Sequence, residues 1–67
     1  MTRKYLDMTV TLAGRRLSVF FDGDHTADRT WHVPPKRMND VRYVMNRKDP
    51  LAANQMVAWM EEFACRA

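Results

Sequence analysis

Asp22, Asp24, His25 and Asp28 form the densest group of oxygen and nitrogen ligands in the chain. A hard cation needs several oxygens at fixed spacing, and a calcium loop continues with further acidic or amide positions before closing on a Glu. Here the run ends at Asp28, and the next Glu is Glu61. A solvated loop whose Asp side chains bond to their own backbone accounts for the cluster, so neither a metal nor any other cofactor is expected. His25, His32 and Cys65 are the other reactive set. A Cys–His nucleophile requires the base within hydrogen-bond reach of an activated thiolate. Cys65 is expected in the last turn of a C-terminal helix, where fraying works against such positioning. No catalytic residue is assigned, and a non-enzymatic protein is expected.

The cations and two surplus aromatics carry more. Arg15 and Arg16 mark a hairpin turn, and Lys36, Arg37, Arg42, Arg47 and Lys48 surround a predicted first helix. Phe20 falls on the sheet face opposite Leu17, Val19 and Phe21. Tyr43, on a helix, sits away from the stripe Met38, Val41, Met45. An aromatic beside a cation offers large contact area at low entropic loss. Arg16, Phe20, Lys36, Arg37, Tyr43 and Arg47 are therefore the candidate partner-binding residues. The same cations suit phosphates, which keeps a small basic DNA- or RNA-binding regulator as the alternative. Known geometries fit that alternative poorly. As the reading helix of a helix-turn-helix, the second helix would present Glu61 and Glu62. A ribbon-helix-helix would leave the N-terminal hairpin unexplained.

The elements that must position these residues change period at Val33-Pro34-Pro35. Before it, Leu6, Met8, Val10, Leu12 and then Leu17, Val19, Phe21 alternate, as strands with one buried face do. Lys4 to Ala13 and Arg16 to Asp22 read as a hairpin joined by a type II′ turn at Gly14-Arg15. That register sets Leu12 against Leu17, Val10 against Val19 and Met8 against Phe21. Residues 22–29 read as a polar loop, followed by a short third strand, Thr30 to Val33, with Trp31 and Val33 on one face and His32 on the other. Pro34 and Pro35 end it, and Pro35 suits the first position of a helix. Lys36 to Arg47 supports a helix through its apolar stripe, although Val41 to Met45 is also rich in strand formers. Asp49 and Pro50 are an N-cap and first-turn proline. They open a helix from Pro50 to Cys65 whose face Ala52, Met56, Trp59, Met60, Phe63 is expected to cover the sheet, with Trp59 and Phe63 buried. The fold class is α+β, a hairpin plus third strand packed by one or two C-terminal helices, in a single small domain over residues 1–67.

Sixty-seven residues with one cysteine lack the thiols for an internal disulfide or a structural zinc site. A core of this size gains from a second chain, so a homodimer through the second helix is expected. The first residues are basic without an apolar run behind them, unlike a secretory leader. No segment has membrane-spanning length, and a lone thiol fits a reducing, cytoplasmic setting. The net charge is +3. Small size without catalytic motifs is shared with the accessory proteins of phages and mobile elements. The expected function is that of a protein-binding module that occludes a surface of a larger protein or nucleoprotein complex.

Overall fold

The structure, a computed structural model, describes the backbone of residues 1–63 and 65–66, and the side chains of residues 1–23 and 28–63. Five strands, β1 (Thr2–Tyr5), β2 (Met8–Ala13), β3 (Arg16–Phe21), β4 (Asp24–His32) and β5 (Cys65–Arg66), form one antiparallel sheet in chain order. Two helices, α1 (Met38–Met45) and α2 (Pro50–Phe63), stand between β4 and β5 in the chain. The α+β class is as the periodicity predicts, with more strands.

The β2–β3 register pairs Leu12 with Leu17, Val10 with Val19 and Met8 with Phe21, as expected. Gly14 takes φ +61° and Arg15 stays out of the positive-φ region, which is the signature of a type II′ turn. Two readings are corrected. The stretch Lys4 to Ala13 is not one strand: it folds back at Leu6-Asp7, so that Tyr5 pairs with Met8. Leu6 leaves the core face, 76% exposed and at φ +52°. The polar stretch after Asp22 is not a loop either. The turn is Asp22-Gly23 alone, and β4 begins at Asp24, with a shift of register against β3 between Val19 and Phe21.

One face of the sheet is apolar. Tyr5, Met8, Val10, Leu12, Leu17, Val19 and Trp31 are buried there beneath Met38, Val41 and Met45 of α1 and Ala53, Met56 and Met60 of α2. The other face carries Thr2, Thr11, Ser18 and Thr30 in one row across four strands. Hydroxyl pairs bridge Thr2 to Thr11 at 3.2 Å and Ser18 to Thr30 at 3.3 Å. Alternation along four strands thus dictates where the helices lie.

Two side chains from β1 fasten α1. Arg3 Nε donates to the carbonyl of Met45 at 2.9 Å, and the Tyr5 hydroxyl donates to that of Val44 at 3.2 Å. These carbonyls belong to the helix end that lacks intrahelical donors, where a cation also complements the dipole. A 3₁₀ turn, Pro35–Arg37, leads into α1. Region 36–47 is accordingly helical where it is regular. Asp49 caps α2 as expected, its Oδ1 accepting from the Leu51 N–H at 3.0 Å. Arg29 Nε, on β4, reaches Glu61 of α2 at 2.7 Å. The second helix ends at Phe63, and Cys65 lies in β5 rather than in a last helical turn.

Trp31 has no solvent exposure, so Trp31→Ala should cost about 3–5 kcal/mol. A domain of this size has about 5 kcal/mol in all, and circular dichroism should report a largely unfolded protein. Burial pushes the Tyr5 phenol above its ordinary value of 10.0, against a smaller downward pull from Arg3. Between that value and the raised one, the unfolded chain has ionised Tyr5 and the folded chain has not. The stability it contributes is therefore intact below pH 10.0 and is lost as pH rises through the window. Tyr5→Phe should cost about 1 kcal/mol at neutral pH through the lost hydrogen bond. Its stability should then decline less steeply than the parent's above pH 10.0 in denaturant titrations.

Candidate functional site

Four of the six sequence-assigned residues meet on the outer side of the helices. Between α1 and α2 lies a hollow of about 350 Å³ lined by Arg37, Asp40, Tyr43, Val44, Met56 and Trp59, with Ala52 and Gln55. A second hollow of about 180 Å³ adjoins it, lined by Pro34, Lys36, Arg37, Trp59, Met60 and Phe63. Arg37 and Trp59 line both, so the two hollows adjoin at this pair and make a two-part groove along the α1–α2 face. Small-molecule pockets run from about 300 to 1,000 Å³ and enclose most of their ligand. The larger hollow reaches that volume but is open between two helices, which suits inserted side chains better than an enclosed ligand.

Stacking fixes its walls. The Arg37 guanidinium lies 5.0 Å from the centre of the Trp59 ring, and that of Arg47 lies 5.2 Å from the Tyr43 ring. Both distances are within cation–π reach. Arg47 also donates to the Tyr43 hydroxyl at 2.8 Å. Each guanidinium therefore lies over an aromatic that limits its freedom. Arg37 pairs with Asp40 at 3.6 Å, an exposed contact of the kind worth little and easily exchanged. Trp59 and Phe63 meet in a tilted contact, with ring centres 6.4 Å apart and planes at 53°.

The other two assigned residues lie elsewhere. Arg16 and Phe20 are on the open face of the sheet, where Phe20 is 44% exposed beside Thr9. The helices cover the opposite face, so one partner surface cannot take in all six residues. Trp59 and Phe63 are the residues that sequence reasoning misplaced. Burial on α2 falls on Ala53, Met56 and Met60. Trp59 is only partly buried at the edge of the core, and Phe63 is 65% exposed. The available signal was the breadth of the α2 stripe, wider than one sheet face can cover.

Among the described residues no group of three His, Cys, Asp or Glu is placed to hold a metal, and no helix is long and apolar enough to cross a membrane. The side chains of Asp24, His25 and Cys65 lie outside the described residues. A comparison with family models, curated proteins and solved structures finds no match for this chain.

Because Trp59 and Phe63 stand at the margin, Phe63→Ala should leave the melting temperature nearly unchanged. Trp59→Ala should cost about 1 kcal/mol, in the range of ordinary surface and boundary substitutions. Thermal melts of both, set beside Trp31→Ala, check the assignment.

Proposed function

We propose that the protein is a non-enzymatic binding module that docks on a larger protein through its α1–α2 face and occludes the surface it covers. The observation that supports this reading is the pair of adjoining hollows that share Arg37 and Trp59, with Tyr43, Val44, Met56 and Phe63 along them. Aromatic and Arg side chains around a concave apolar centre make up the composition of binding hot spots. Three of these apolar residues (Tyr43, Trp59 and Phe63) remain partly or largely exposed, although the fold has buried Met38, Val41, Met45, Ala53, Met56 and Met60 beside them. A nucleic-acid regulator would use the same cations. The apolar floor favours a protein, because a phosphate backbone would leave that floor in water.

The test is affinity capture from lysate with the parent chain, Trp59→Ala and Phe20→Ala, each with and without nuclease. Partners should survive nuclease, persist with Phe20→Ala and be lost with Trp59→Ala, a hot-spot loss of about 2 kcal/mol or more. Nuclease-sensitive recovery would establish the nucleic-acid alternative. Loss with Phe20→Ala alone would move the interface to the open sheet face.

A further inference from the structure

The positive charge of this protein is concentrated in the segment that leads into, forms and leaves α1, three of whose cations stand at the groove. Residues 36–48 hold five Lys and Arg side chains against one carboxylate, whereas the remaining residues hold six cations against seven acids. The segment is thus more positive than the whole chain, whose net charge is +3, and the rest of the protein is slightly negative. Lys36 and Arg37 line the groove, and Arg47 lies over Tyr43 at its wall. The acids on the two helices are few and partly engaged. Asp40 is held by Arg37, Glu61 by Arg29, and Glu62 lies in the last turn of α2.

We infer that the groove takes an acidic amphipathic segment of a partner protein, with an apolar side chain against Trp59 and Met56 and flanking carboxylates on Arg37, Lys36 and Arg47. This rests on the docking role proposed above and adds the chemistry of the occupant. A carboxylate can accept two parallel N–H bonds from a guanidinium. The contacts with Trp59 and Tyr43 limit where each guanidinium can lie, and Arg37 exchanges its exposed Asp40 contact for the incoming carboxylate. The apolar floor accounts for the other half of the recognition, as in helix-in-groove binding. A second copy of this chain is disfavoured as occupant. A two-fold contact places the same patch on both sides, which would set Arg37 and Lys36 against their like.

The experiment is selection of a displayed random-peptide library on the full chain, with binders retained by Trp59→Ala protein removed. Peptides that depend on Trp59 should carry a surplus of Asp and Glu, relative to the input library, beside Leu, Met or aromatic residues. The best of them should weaken roughly tenfold when Arg37→Glu and Arg47→Glu are combined, and should weaken with rising salt. Reselection on the charge-reversed protein should turn the surplus toward Lys and Arg. Phe63→Ala, a more exposed change in the same groove, provides a second variant should Trp59→Ala not fold. A groove-dependent pool without an acidic surplus, or one indifferent to charge reversal, overturns the inference and leaves the docking role standing. Absence of any groove-dependent pool overturns both. A DNA duplex or single strand that displaces the best peptide at equal concentration and salt overturns the inference in favour of nucleic acid.

Discussion

Val10, Leu17, Val19 and Trp31 have no exposure to solvent, while the residues next to them in the chain, Thr9, Thr11, Ser18 and Thr30, stand on a face that neither helix covers. A sheet with one apolar face must cover that face, and this requirement organises the rest of the molecule. The proline pair ends β4 as soon as the last core residues, Trp31 and Val33, are in place. The chain then supplies two short helices whose apolar positions, Met38, Val41, Met45 and Ala53, Met56, Met60, meet the sheet. Burial at roughly 25 cal/mol per Å² is the driving term, and no other contact in the structure is of comparable extent.

Position along the sheet is decided by a few polar bonds. Arg3 and Tyr5 hold the C-terminal carbonyls of α1, Asp49 starts α2, and Arg29 meets Glu61 near its end. These contacts hold against the sheet the two helices that form the groove. A strand of four residues at the sheet edge therefore supports a surface to which it contributes no side chain.

The hairpin was legible in the sequence because period, pairing and turn chemistry agreed there: Gly14 permits the turn, and the resulting register places every large apolar pair on one face. The Leu6 turn was hidden because Leu6 continues the alternation and adopts a backbone conformation that L-residues avoid. The start of β4 was hidden because Asp22, Asp24 and Asp28 have turn composition, and pairing with β3 overrides that local preference. Trp59 and Phe63 show a different limit. Helical periodicity tells which residues share a face, yet the width of the surface beneath is a tertiary property. Here the sheet and α1 are satisfied by Ala53, Met56 and Met60. The basic set Lys36, Arg37, Arg47 and the exposed Tyr43 could be read from the sequence; their aromatic counterparts on α2 were signalled only by the breadth of that helix's apolar stripe.

The first four strands each pair with a chain neighbour through turns of two residues, Leu6-Asp7, Gly14-Arg15 and Asp22-Gly23. Such a meander can assemble by successive local closures, with little loop entropy to overcome at each step. The pairing of β5 with Trp31 and His32, by contrast, joins distant parts of the chain. Because α1 and α2 are the cover of the sheet's apolar face, helices and meander stand or fall together, and the hollows between the helices last as long as the sheet does.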